Sequence, residues 1–214
     1  MVIPPQPAKP WHSGLPCPEV GTEKTTNCQS LPDTRILCLG NELLADDAFG
    51  QVVAEELGRR FPHLDVVFTT DSGFHLIDYL SEVSRLIVVD TILTGSVPPG
   101  TLHVLSTSDI KSLPGPSPHY VGLFETLQLA RELLLNVPDD VVILAVEAAD
   151  CLTLGGTMHP AVESAVGLVA ELVAEIAQRS KSANALQDED SGDGLRGAIT
   201  TVSSRWGAER FLVS

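Results

Sequence analysis

Arg35-Ile36-Leu37-Cys38-Leu39-Gly40-Asn41-Glu42-Leu43-Leu44-Ala45-Asp46-Asp47-Ala48-Phe49-Gly50 is the stretch on which the fold turns. Ile36 to Leu39 are apolar without interruption, which suits a strand buried on both faces. After the glycine and a polar run, Phe49, Val52, Val53 and Leu57 recur at helical spacing, so the segment reads as strand, turn and amphipathic helix. The pattern continues downstream. Leu64 to Thr70 reads as a second strand, Phe74 to Val83 as a short helix, Arg85 to Asp90 as a third strand and Thr101 to Ser106 as a weaker fourth. Pro118 to Leu135 carries Tyr120, Leu123, Phe124, Leu127, Ala130 and Leu134 along one side of a helix. Val141 to Glu147 is a fifth strand and Pro160 to Gln178 a closing helix. Runs such as Leu86-Ile87-Val88-Val89 require cover on both faces. The expected fold is therefore α/β: a single-domain three-layer α/β/α sandwich around a twisted, mostly parallel five-stranded sheet.

The flanks differ in composition. Residues 1–34 are crowded with Pro, Ser, Thr, Asn and Gly, and residues 180–214 run through Gln187-Asp188-Glu189-Asp190-Ser191-Gly192-Asp193-Gly194. Such segments bury too little surface to order themselves, so both are expected to be disordered around a domain at 35–179. A short apolar patch, Trp206 with Phe211, Leu212 and Val213, interrupts the second of them.

With 214 residues, 43% apolar and 19% charged, one core is the default. The balance of 13 basic against 28 acidic side chains leaves −15, a field that repels phosphate backbones and anionic lipid, so nucleic acid is not an expected partner. The start of the chain has no apolar run suited to a secretory signal, and the longest apolar stretches fall short of the roughly 20 residues of a membrane span. Four cysteines, Cys17, Cys28, Cys38 and Cys151, form no CxxC pair. No disulfide framework or zinc ribbon follows, and a reducing cytoplasm is the expected setting. The loose group His12, Cys17 and Cys28 is set aside as tail residues.

In an open α/β sheet the site lies beyond the carboxyl ends of the strands, where successive crossovers diverge. Asp46 and Asp47 follow the first strand, Asp90 ends the third, and His119 opens the helix after the fourth. Each has an ordinary explanation. An aspartate at a helix start accepts backbone N–H bonds, and Asp46 is the better placed N-cap, leaving Asp47 to project outward. Asp90 can cap a turn ahead of Thr91. Ser117 can act as N-cap and Pro118 as first helical residue, which puts the His119 imidazole in the first turn, where the dipole favours its neutral, ligand-competent form. If the three converge, two carboxylates and one imidazole make a donor set for nickel, zinc or manganese with open positions. Without the thiolates of a structural zinc site or the HExxH spacing of a zinc protease, a weakly held or borrowed ion is the natural expectation.

Four elements in one order carry a family resemblance: Gly40-Asn41-x-Leu43-x-x-Asp46-Asp47-x-x-Gly50, the strand ending Val88-Val89-Asp90, Ser117-Pro118-His119-x-x-Gly122-Leu123, and Gly155-Gly156-x-Met158-x-Pro160-x-Val162. Over residues 35–179 the chain resembles the hydrogenase maturation endopeptidases. The resemblance implies removal of a short C-terminal extension from the precursor of a nickel-iron hydrogenase large subunit after nickel insertion. It implies Asp47, Asp90 and His119 as metal-binding and catalytic residues, and Gly40, Asn41 and Gly73 on the side of the substrate backbone. Nickel would come with the substrate, with no permanently bound cofactor, and the enzyme would act as a cytoplasmic monomer. Relatives often carry glutamate where this chain has Asp47, a change that keeps the oxygen donor on a shorter arm. The turn before Asn41 is reduced to a single Gly40, and Ala145-Val146-Glu147-Ala148 stands where relatives frequently show glycine and proline.

Two other readings use the same residues. A non-catalytic metal-handling or docking factor would need the same donors. A nucleotide- or flavin-binding protein would use the strand-turn-helix at Leu39 to Gly50, but that turn lacks GxGxxG and carries Glu42, Asp46 and Asp47 where phosphates need open N–H groups.

Overall fold

The computed structural model describes residues 34–81, 83–106, 120–183, 195, 199 and 211–213. Strand β1 (Thr34–Leu39) leads through a 3-10 turn at Asp46–Ala48 into helix α1 (Phe49–Arg60) and strand β2 (Asp65–Thr69). A second 3-10 turn (Gly73–Leu76) runs into the short α2 (Ile77–Leu80), then come β3 (Arg85–Ile92), β4 (Leu102–Ser106), α3 (Tyr120–Glu132) and β5 (Asp140–Glu147). Helices α4 (Pro160–Glu163) and α5 (Val166–Ala183) and strand β6 (Phe211–Val213) complete the order.

The sheet runs β2-β1-β3-β5-β4-β6. β1 lies parallel to both β2 and β3, and β3 parallel to β5, while β4 is antiparallel to β5. The five expected strands thus form the expected mostly parallel sheet. Alternation along each strand divides the core into two layers. Ile36, Cys38, Ile87 and Val89 pack with α1 and α5 through Phe49, Val53, Leu57, Val169 and Val173. Leu37, Leu39, Leu86 and Val88 pack on the other face with Leu76 and Leu80 and with Leu123 and Leu127 of α3. Each such side chain contributes roughly 1.5–3 kcal/mol by leaving water. All eight residues of β3 are buried, as a central strand requires.

Four details depart from expectation. Phe211–Val213, assigned to an unordered tail, pairs parallel with β4 through Leu102↔Phe211 and His103↔Leu212. The reason is the apolar patch itself, which finds in β4 a strand whose outer side has no other partner among the described residues. Leu195 and Ile199 of the same segment pack against the α1 and α5 layer. The closing helix divides into α4 and α5, and the helix expected over Phe74 to Val83 begins as a 3-10 turn and ends at Leu80. β3 runs on to Ile92, because β5 continues beside it as far as Glu147. Asp90 therefore lies inside the ladder, opposite Ala145, and does not end the strand.

The chain leaves β1 toward β2 on one side and returns to β3 on the other. The crossovers diverge between the carboxyl ends of β1 and β3, and a crevice for a ligand belongs at such a switch point.

Candidate active site

Gly40 and Gly50 let the backbone after β1 fold tightly at this switch point. Gly40 has φ +150°, and a Cβ there would collide with the carbonyl oxygen of Asp47. A Cβ on Gly50 would collide with the carbonyl oxygen of Leu39. The turn between them is pinned by Asn41, whose N–H donates to the Asp47 carbonyl at 3.1 Å. The Asn41 side-chain oxygen accepts the Leu43 N–H at 3.0 Å. Gly40 and Asn41 thus shape the loop that carries the acid pair.

The two neighbouring aspartates have separate tasks. Asp46 is fully buried and makes no cap to its own helix turn, contrary to the N-cap expectation. Its Oδ2 accepts the N–H groups of Ala149 at 2.7 Å and Asp150 at 2.9 Å, and its Oδ1 accepts that of His159 at 2.6 Å. A carboxylate outcompetes a local cap here because three backbone donors on one loop converge on it, and charge-assisted bonds are the strong ones. The loop after β5 is further stitched to the loop after β1 through Ala45 N–H to Thr153 O at 3.1 Å and Gly155 N–H to Leu43 O at 2.8 Å.

Asp47, almost entirely buried, faces β3 instead: its Oδ1 accepts the Thr91 hydroxyl at 3.2 Å. Asp90, fully buried, accepts the backbone N–H of Thr91 on Oδ1 at 2.7 Å. The structure thus brings Asp47 and Asp90 to a common neighbour. The Cys151 sulfur lies 3.6 Å from the Thr91 oxygen. Burial pushes the Cys151 thiol up to about 12; the Thr91 hydrogen bond opposes this, while the charges of Asp47, Asp46 and Asp90 add to it. A thiol among three carboxylates keeps its proton.

His119, the third candidate donor, lies outside the described residues; α3 is described from Tyr120. Among the described residues, no group of three His, Cys, Asp or Glu side chains is arranged to hold a metal. Gly73 sits on the same rim, one strand outward, after β2. Its φ of +57° is the left-handed value that glycine supplies, a Cβ there would meet open space, and its carbonyl accepts the Thr126 hydroxyl of α3 at 3.0 Å.

Glu147 at the end of β5 has a structural role that its sequence position alone does not disclose. One oxygen accepts the N–H groups of Thr94 and Gly95, both at 2.8 Å, and the other accepts the Thr94 hydroxyl at 2.8 Å and faces His103 Nε2 at 3.0 Å. It fixes the turn that follows Asp90 and Thr91. Sequence reading also passed over Thr91 and Cys151. Strand alternation was the usable signal, since position 91 shares a face with Ile87 and Val89, the face on which α1 packs.

The fold is an open α/β sheet with two buried aspartates at its switch point, where the loops after β1 and β5 meet. The family model described as hydrogenase maturation protease matches residues 52–176. Hydrogenase expression/formation protein HupD of Bradyrhizobium diazoefficiens is 33% identical over 155 residues, 69% of this chain and 80% of that protein. The hydrogenase 2 maturation protease of Escherichia coli is 29% identical over 146 residues, 66% and 82% of the two chains. The solved structure of the hydrogenase maturating endopeptidase HybD from E. coli superposes with a TM-score of 0.59 at 25% identity, covering 70% of this chain and 93% of that one. The chain belongs to the hydrogenase maturation protease family. It is an endopeptidase of hydrogenase maturation, and processing at the C-terminus of a large-subunit precursor is consistent with that family.

Proposed function

We propose that the enzyme trims the C-terminal extension of a nickel-iron hydrogenase large-subunit precursor only after nickel has been inserted, with Asp47, Asp90 and His119 completing the coordination of an ion the substrate brings. The observation that carries this reading is the shared attachment of Asp47 and Asp90 to Thr91 at the switch point between β1 and β3. Two carboxylates gathered there supply hard oxygen donors, and an imidazole at the start of α3 would add a borderline one suited to nickel. Next to the scissile bond, the ion acts as a Lewis acid on the carbonyl or on the attacking water, whose oxygen becomes part of the new carboxyl terminus. An unloaded precursor offers no anchor, so insertion and trimming follow in order.

Leu43, Leu152 and Leu154 are exposed on the two loops that build the site, and they give the rim an apolar character suited to a protein substrate. With the ion brought by the substrate, the enzyme needs no permanently bound cofactor. The expected cellular setting is the cytoplasm, with the enzyme as a monomer. No described helix is long and apolar enough to cross a membrane.

The test is a paired assay read by intact mass. The protein should shorten a nickel-loaded precursor and spare a nickel-free one, and equal cleavage of both would defeat the proposal. Asp47→Ala, Asp90→Ala and His119→Ala should each reduce trimming by more than the roughly 10–100-fold typical of losing a ligand's outer support. A fully active His119→Ala protein would remove that residue from the site.

A further inference from the structure

A hydroxyl has one proton to give. At Thr91 that proton goes to Asp47 Oδ1, 3.2 Å away. The same oxygen lies 3.6 Å from Cys151 Sγ, a contact in which either atom can be the donor. Thr91 thus links Cys151 on the loop after β5 to Asp47 before α1. The same residue gives its backbone N–H to Asp90 Oδ1 at 2.7 Å. Its backbone cannot drift, because Thr91 pairs with Val146 in the β3–β5 ladder and is itself buried.

We infer that Thr91 is a positioning residue that sets the two carboxylates of the site relative to each other, and that the Cys151 thiol holds its hydroxyl in the rotamer that does so. The two carboxylates stand on different elements, Asp47 in the turn before α1 and Asp90 within β3, so without a shared partner each would follow its own element. A β-branched side chain suits the task, since its χ1 is restricted. Cys151 extends the control to the loop after β5, the same loop that Asp46 anchors. This inference rests on Asp47 and Asp90 acting in catalysis and not on which ion they meet.

The experiment compares Thr91→Val, Thr91→Ala and Thr91→Ser with the unaltered chain in trimming both nickel-loaded and nickel-free precursor, with kcat and KM measured separately. Valine keeps the shape and removes the donor; serine keeps the donor. Thr91→Val and Thr91→Ala are expected to lower kcat/KM about 10–100-fold, the range for losing the partner that orients a site residue. Thr91→Ser is expected to remain within about threefold, and a thermal melt checks that Thr91→Val still folds. Cys151→Ala gives a smaller loss in the same direction, and Cys151→Ser, which can still donate, a smaller one again. Activity of Thr91→Val within about twofold of the unaltered chain, or an equal loss in Thr91→Ser, overturns the role of Thr91. Unchanged activity in Cys151→Ala overturns the part given to the thiol. If the unaltered enzyme cuts nickel-free precursor equally well, the nickel reading fails while the contrast between valine and serine still decides the case for Thr91.

Discussion

Asp46 and His159 are joined across 113 positions by a 2.6 Å bond from the histidine's backbone N–H to the aspartate's Oδ1. With Ala149 and Asp150 on its other oxygen, this carboxylate is the tie between the two loops that build the site. Asp46→Ala removes the acceptor of three part-buried N–H groups and leaves a gap at a fully buried position, and an unsatisfied polar group costs about 1–3 kcal/mol where water cannot reach it. Partial relaxation should leave a total loss of about 2–5 kcal/mol in denaturant unfolding. Asp46→Ala within about 0.5 kcal/mol of the unaltered protein would show that the tie is dispensable.

Gly50 predicts an intolerance of a different kind. A methyl group there collides with the carbonyl oxygen of Leu39, a backbone atom that no rotamer change can move. Gly50→Ala should force α1 away from β1 and destabilise by at least the roughly 1–3 kcal/mol of an overpacked core. Gly58→Ala is the internal control, since a Cβ there meets nothing within 4 Å and alanine favours a helix.

Asp71 should make stability depend on acid. Its carboxyl is held below the ordinary value of 3.8, chiefly by the Tyr79 hydroxyl at 2.7 Å and then by Thr69. A depressed folded pKa means the stabilising effect is fully present above the unfolded value and is lost as pH falls through the folded one. The melting difference between the unaltered protein and Asp71→Asn should accordingly be constant at neutral pH and shrink below pH 3.8. A difference that grows on acidification would contradict this assignment.

Leu43 and Leu154 bear on binding. Leu43→Ser combined with Leu154→Ser should raise KM for the precursor several-fold, with kcat and melting temperature little changed, because both side chains are exposed before the substrate arrives. A fall in kcat at constant KM would place them outside the binding surface.

Much of this molecule was legible from periodicity alone. The uninterrupted apolar runs of β1, β3 and β5 announced a doubly covered sheet, and the switch-point rule led to the ends of β1 and β3. Pattern singled out Asp46 as the structural one of two adjacent aspartates, but as a local cap and not as a tie to another loop. Asp46 is occupied by donors from a loop a hundred residues away, and no local cue reports that. Asp90 was read as the end of a strand because the strand's length depends on how far β5 accompanies it. Thr91 and Cys151 are silent for a similar reason, being ordinary residues until the fold sets them against Asp47. Phe211–Val213 shows that three apolar residues inside a polar stretch can outweigh their surroundings when an edge is free.

That short final strand also governs the protein's company. By lying along β4 it covers Leu102–Val104 and replaces the longer edge of β4 with a three-residue edge strand, which offers a passing chain fewer open amides and carbonyls. Versions cut back before Phe211 should therefore elute from a sizing column as aggregates or pairs, and laboratory fusions are better placed at the opposite terminus.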